Sequence, residues 1–263
     1  MIGLYSSASA MKASELTIDV ASNDLANINT TGHKTHRAEF QDMLYIDKTT
    51  TFQAIGDNNV PPVPIQIGLG VKTAAIYRIP NQGALENTNR ELDVAINGIG
   101  YFIIEMANGE RKYTRNGSFS LNENGLLVNS AGYAVSPGLT IPEEALSVHI
   151  TSNGEVAIKV ENQPQLTVIG QLNMARFIND SGLTENGDSL LSESNTSGIP
   201  IEGTPGAEGM GMLVQKNLET SAVDPVAAVT HLIKSQRSYE MASQAFKTCT
   251  EILKSLLAVI QNA

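Results

Sequence analysis

Apolar side chains recur every seven residues at both ends of this chain. The N-terminal series is Leu4, Met11, Ile18 and Leu25, and the C-terminal series is Leu232, Tyr239, Phe246, Leu253 and Ile260. Between them fall Ala8 and Ser22, with Glu15 breaking the seam, and Val229, Gln236, Ser243, Thr250 and Leu257. Sustained heptads of this kind predict α-helices that pack in coiled-coil fashion. The first helix is expected over about residues 4–27. The second starts at Asp224-Pro225, where Asp caps and Pro takes the first helical position. From Pro225 to Ala263, a continuous helix would be about 58 Å long. The small, partly hydroxylated seam at Ala8, Ser22, Ser243 and Thr250 would make a weak isolated pair, so such helices draw stability from several neighbours. The pattern alone leaves open whether the two ends form an intramolecular hairpin or an intermolecular bundle.

The stretch "SNDLANINTTGHK" (22–34) closes the first helix. Asn side chains compete for backbone hydrogen bonds and Gly32 can take positive φ. An ordinary C-cap explains Gly32 and one asparagine, but not Asn23, Asn27 and Asn29 together. These four residues are therefore read as a hinge.

The middle is β. Six Asn-Gly pairs lie at 97–98, 108–109, 116–117, 124–125, 153–154 and 186–187, separated by short apolar runs such as "YFIIEM" and "EVAIKV". Asn-Gly flanked by such runs predicts tight hairpins, because both residues tolerate φ > 0. The expected fold class is α+β: N- and C-terminal coiled-coil-type helices at one pole, and a central antiparallel β-domain rich in Asn-Gly hairpin turns. The expected divisions are 1–35 for the N-terminal assembly helix and hinge, 36–75 for an extended connector, and 76–215 for the β-domain. Residues 216–263 are the C-terminal assembly helix with its lead-in, packing with 1–35. "GDNNVPPVPIQIGLG" and "NTSGIPIEGTPGAEGMGM" mark the two Gly/Pro-rich crossings.

Charge and chemistry exclude more than they suggest. The net charge is −10, with a surplus of 11 acidic groups within residues 85–224, and no Lys/Arg run, which argues against nucleic-acid binding. The single cysteine, Cys249, permits no internal disulfide and sits in a helical pattern as a small half-buried residue. No segment approaches the ~20 apolar residues of a membrane span, and "MIGLYSSASAMKASEL" has no basic n-region, so no cleaved signal peptide is expected. His33 and His36 lack a third ligand on their element, so no metal site is expected. "GLGVKT" lacks the third glycine and following helix of a phosphate loop, and no Ser lies in a G-x-S-x-G context. No catalytic residue and no cofactor are expected.

Three blocks carry a family resemblance. "SNDLANINTTGHK" is similar to an N-terminal signature S-N-N-L-A-N-x-N-T-x-G followed by an aromatic and Lys. "ELDVAINGIGYFII" resembles a core strand motif, and "NLETSAVDPVAAVTHLIKSQRSYEMASQAFKTCTEIL" a C-terminal block with "LI-x-x-QR-x-YE". By these the chain resembles the rod–hook family of bacterial flagellar axial proteins over nearly its whole length. "FQDMLY", "QIGLGVKTAAIYRIPNQGALENT" and the stretches "ARFINDSGLTENGDSLL" and "SGIPIEGTPGAEGMGML" within residues 175–213 favour its distal rod branch. The chain departs from the pattern at Asp24, His33, Ala222, Ala242 and Thr250.

The resemblance implies a non-enzymatic structural subunit. It would polymerise as a homo-oligomer into a helical, tubular rod that transmits torque to the hook. Implied partners are proximal rod and hook proteins at the rod's ends, and ring proteins of the cell wall and outer membrane where present. The flagellar type III export apparatus and a rod-capping protein are implied as well. Nucleic acid and membrane insertion are not. The place implied is the basal body in the periplasm. The assembly interface would be Leu4, Met11, Ile18, Leu25, Leu232, Tyr239, Phe246, Leu253 and Leu257, with Gln236, Arg237 and Glu240 as polar contacts. Within the family the alternative is a proximal rod or hook subunit. From another class, it is a secreted β-domain that binds or cleaves cell-wall glycan.

Overall fold

The computed structural model describes residues 2–47, 66–161 and 165–261. Two long helices bracket an antiparallel β region, so the fold is α+β. The chain divides into two compact units. Met1–Leu25, His36–Tyr77 and Pro225–Ala263 form one, and Ala26–Thr35 with Arg78–Asp224 the other. The unit that holds the β region thus takes in both the segment after the first helix and the lead-in to the second.

In the first unit, α1 runs Ile2–Ala26 and α2 runs Pro225–Gln261, with Pro225 as the opening residue. Leu4, Met11, Ile18 and Leu25 are half-buried. The positions between them are not those expected. Ala8, Glu15 and Ser22 are exposed, while Ser7 is buried and Ser14 and Ala21 are half-buried. On α2 the shift is partial, since Ser243 and Thr250 are half-buried where the heptads expect them. Ala228, Ser235, Ala242 and Cys249 are covered, with Leu232, Phe246 and Leu253, whereas Val229, Gln236, Tyr239 and Leu257 are exposed. At 3.6 residues per turn, steps of three and of four both lie near one face. On α1 the covered stripe runs through Ser7, Ser14 and Ala21, and Glu15 lies outside the seam rather than breaking it. The helices meet closely at one point: a Cβ on Gly3 would stand 3.3 Å from Cys249 Sγ.

The connector pairs into short strands. His36–Asp42 lies beside Val71–Arg78, and Tyr45–Asp47 is antiparallel to Gln66–Gly68. It is tied to α1 at Gly70 (φ +115), where a Cβ would stand 2.2 Å from Ser9 Oγ, and the next amide, Val71 N–H, donates to that oxygen. The proline run of residues 56–65 lies outside the described residues. Asp24, buried near the end of α1, accepts hydrogen bonds from the His36 backbone N–H (3.0 Å).

The second unit is built around the strand Tyr101–Glu105. Its first four residues are buried on both faces. Alternate side chains enter different cores, as the two-residue period requires. Phe102 and Ile104 join Val94, Ile96, Phe119 and Leu127 in the larger cluster, and Tyr101 and Ile103 join Tyr113, Phe177 and Leu191 in the smaller. Edge-to-face ring pairs lock both, Phe102–Phe119 at 5.0 Å and Tyr113–Phe177 at 4.8 Å. A nine-stranded sheet, the three-stranded sheet of Ala145–Ile150, Glu155–Val160 and Thr167–Gln171, and two-stranded ribbons complete it. One 3-10 turn, Asp180–Gly182, interrupts the strands.

The Asn-Gly pairs do several different things. Those at 108–109, 124–125 and 153–154 lie in three-residue loops between paired strands. Gly109, Gly125 and Gly154 have positive φ but the asparagines do not, so the geometry is a type I turn followed by a left-handed glycine. At 186–187 the strands also pair, but the residues central to the turn are Asp188 and Ser189, both with positive φ. Asn97-Gly98 and Asn116-Gly117 join strands that do not pair with each other, correcting the hairpin expected at both. Val94–Asn97 pairs instead with Met212–Gln215. At Gly117 a Cβ would fall 1.7 Å from the Val94 carbonyl oxygen, so close backbone approach dictates that glycine.

Candidate anchoring site of the chain ends

The turn after α1 is held by its own side chains before anything else. Asn27 accepts from Thr30 twice, its carbonyl from the backbone N–H (3.1 Å) and its side-chain oxygen from the hydroxyl (3.0 Å). Gly32 adopts φ +72. Its N–H donates to the Glu219 carbonyl (2.8 Å), and a Cβ there would stand 2.9 Å from the Arg115 carbonyl carbon. His33 offers its carbonyl to Ala222 N–H (3.0 Å). The segment after α1 is thereby stitched to the lead-in of α2, although nearly the whole chain separates them in sequence.

A buried ion cluster lies behind those stitches. Lys34 pairs with Glu219 and also donates to the Asn81 carbonyl (2.6 Å), and both Lys34 and Glu219 are almost wholly removed from water. Glu219 is fixed at the end of the strand Asn217–Glu219, which pairs with Leu85–Asn87. Its carboxylate accepts from Gly83 N–H (2.9 Å) and faces Arg115 Nε at 3.1 Å. Arg115 in turn donates to the carbonyls of Gly100 (2.7 Å) and Gly98 (2.9 Å). The guanidiniums of Arg78 and Arg115 each stand 5.8 Å from the centroid of the Tyr101 ring. Arg78 donates to the Asp180 carbonyl (2.8 Å).

Burial sets the electrostatics. It holds the Lys34 ammonium below its usual range, with the Glu219 hydrogen bond working against that shift. It pushes the Tyr101 hydroxyl up to about 12, with the Arg78 charge opposing. It also raises the Asp180 carboxyl, again against Arg78. Backbone carbonyls take donors from Lys34, Arg78 and Arg115, while Arg78 Nε and Asp180 Oδ1 are buried without a hydrogen-bond partner among the described residues and Glu219 Oε2 has only its ion pair with Arg115. The cluster has the chemistry of a clamp: it holds separated segments together.

Of the hinge residues, Asn27 and Gly32 take part in this anchor, while Asn23 and Asn29 are exposed. The assembly residues Gln236, Arg237, Tyr239, Glu240 and Leu257 are exposed along α2. Leu4, Met11, Ile18, Leu25, Leu232, Phe246 and Leu253 are half-buried. The last turns of α2 carry apolar side chains on more than one side: Ile252, Leu256, Leu257, Val259 and Ile260 are each more than half exposed. No described helix is long and apolar enough to cross a membrane. Sequence reasoning missed Lys34, Arg78, Arg115, Asp180 and Glu219 as one cluster, because no local spacing connects residues so far apart.

Three family profiles match in chain order. They are described as flagella basal body rod protein (residues 4–34), flagellar hook protein FlgE/F/G D1 domain (95–158) and flagellar basal body rod FlgEFG protein C-terminal (214–259). The first and third meet at the anchor, one ending at Lys34 and the other containing Glu219. Among curated relatives, the flagellar basal-body rod protein FlgG of Caulobacter vibrioides is 43% identical over 97% of this chain and 98% of its own length. Those of Agrobacterium fabrum and Bacillus subtilis are 42% and 37% identical, each over at least 96% of both chains. A flagellar hook protein FlgE of Helicobacter mustelae is 38% identical over 50% of this chain and 29% of its own.

Proposed function

The chain belongs to the flagellar basal-body rod protein family, and from that premise we propose how this fold serves a distal rod. It is a structural subunit of that rod, and its work is mechanical rather than enzymatic. The carrying observation is the apolar surface around the end of α2. A helix apolar on one face needs one neighbour; one apolar on several sides needs a bundle. Copies of this chain supply it, packing α1 and α2 of successive subunits into a tube through an open, head-to-tail interface.

Leu4, Met11, Ile18, Leu25, Leu232, Tyr239, Phe246, Leu253 and Leu257 carry the inner bundle. Gln236, Arg237 and Glu240 make its polar contacts. Asn23, Asn27, Asn29 and Gly32 carry the bend out of it. The clamp around Glu219 passes load between the terminal segments and the β region. Proximal rod and hook proteins cap the tube, ring proteins surround it in the periplasm, and the subunit arrives by the flagellar type III route with a rod-capping protein guiding assembly. The near-complete match to rod relatives, against a half-length match to a hook protein, favours the distal rod over the hook.

The test is incorporation. Basal bodies isolated from cells carrying this chain as their only distal rod subunit contain it in the axial fraction. The Leu253→Asp chain is absent from that fraction while its β region stays folded. A complete rod built from Leu253→Asp subunits contradicts the reading.

A further inference from the structure

An asparagine followed by glycine can modify itself: the glycine nitrogen attacks the side-chain carbonyl carbon and closes a five-membered imide. The attack needs a glycine N–H that is not already held, room around the pair, and an acid to accompany the departing nitrogen. The fold sorts its six Asn-Gly pairs on these terms. Four glycine N–H groups are held as donors: Gly98 to Gln82 Oε1 (3.0 Å), Gly109 to the Met106 carbonyl (2.9 Å), Gly125 to that of Asn122 (2.9 Å) and Gly154 to that of Thr151 (3.0 Å). At the fifth, Gly117 is buried and the Asn116 side-chain oxygen is engaged by Ser118 N–H (3.0 Å).

The sixth pair is set apart by its glycine nitrogen, since Asn108-Gly109 is as exposed and as open but has its Gly109 N–H held. Asn186 and Gly187 are both exposed, and a Cβ on Gly187 would meet nothing within 4 Å. Among the described residues the Gly187 N–H has no acceptor. The Asn186 side-chain nitrogen sits 2.7 Å from Ser192 Oγ, and the Lys112 ammonium donates to that same oxygen (2.6 Å). Lys112 and Ser192 lie on paired strands, so their side chains are held in place by the ladder.

We propose that Asn186 is a self-modification site, with Ser192 and Lys112 as its proton relay. The Gly187 nitrogen loses its proton to solvent and forms a bond to Asn186 Cγ. The Cγ–Nδ2 bond breaks, and Nδ2 leaves as ammonia after taking a proton from Ser192, which Lys112 replaces and water restores to Lys112. Water then opens the imide to aspartate or isoaspartate. The net change is one water consumed and one ammonia released. The product is a carboxylate within reach of Lys112, and the isoaspartate form inserts an extra backbone atom where the strand Thr184–Glu185 leaves its partner.

The test is peptide mass mapping of the purified full chain aged at neutral pH, with isoaspartate detection. Asn186 converts first, at least about tenfold faster than any other Asn-Gly pair; Ser192→Ala and Lys112→Met each slow it at least about tenfold, and Lys112→Arg retains most of the rate. Circular dichroism and the rates in urea, where the six pairs become equivalent, identify any variant that has lost its fold. Faster conversion at another pair overturns the proposal. So does an Asn186 rate unchanged by both relay variants in folded protein.

Discussion

Lys34 and Glu219 form a buried ion pair across 185 positions of sequence. One stands just beyond the glycine that ends the first helix's turn, and the other five residues before the Asp-Pro that starts the second helix's entry. Removing one partner of such a pair leaves a buried charge uncompensated, which costs about 3–5 kcal/mol. Lys34→Met and Glu219→Leu each destabilise the β region by that order in urea unfolding. The double variant recovers part of the loss, because Lys34 and Glu219 no longer strand each other, but Arg115 stays buried without its carboxylate. Additive losses in the double variant would remove the pair from the clamp.

Gly32→Ala strikes the same anchor through the backbone. It forces a side chain into φ +72 and places a methyl 2.9 Å from the Arg115 carbonyl carbon. The left-handed conformation alone costs about 1–2 kcal/mol, and the contact adds to it. The loss is read in the unfolding midpoint, and proteolysis opens first between residues 26 and 35. Gly109→Ala, whose added methyl meets nothing within 4 Å, bears only the conformational penalty and loses less.

Alkaline stability carries two opposing signs. Tyr101 ionises at about 12 in the fold and near 10 in the unfolded chain. Between those values only the folded state keeps the proton, so stability falls as pH rises through the window, by roughly 3 kcal/mol in total. Lys34 runs the other way. Its proton leaves the folded state below 10.5, so stability gains with pH up to that value and no further. Unfolding free energies therefore drop steeply only beyond about pH 10, and Tyr101→Phe flattens the drop. Tyr113, also raised to about 12 by burial, leaves a residual slope in that variant. An unchanged slope in Tyr101→Phe would show that Tyr101 ionises normally.

Much of this fold is legible in the sequence because its signals are local. The heptads of Leu4 to Leu25 and Leu232 to Ile260, the Asp-Pro entry at 224–225 and the glycine at 32 each act within a turn or two. The choice between a three- and a four-residue step is not local. Ser7 is covered instead of Ala8, and Ser235 instead of Gln236, because of what packs on the helix. Asn97-Gly98 and Asn116-Gly117 look like hairpins for the same reason: strand pairing is decided by partners elsewhere in the sheet. The Glu219 clamp is the least legible feature, since its members are brought together only by the completed fold.

Concentration-dependent assembly of the purified chain, followed by sedimentation and electron microscopy, tests the structural role of the helices most directly. The intact chain forms tubes above a threshold concentration, and a chain ending at residue 251 stays monomeric with its β region folded. Tubes of equal length from the shortened chain would contradict the assignment of α2 as the assembly helix.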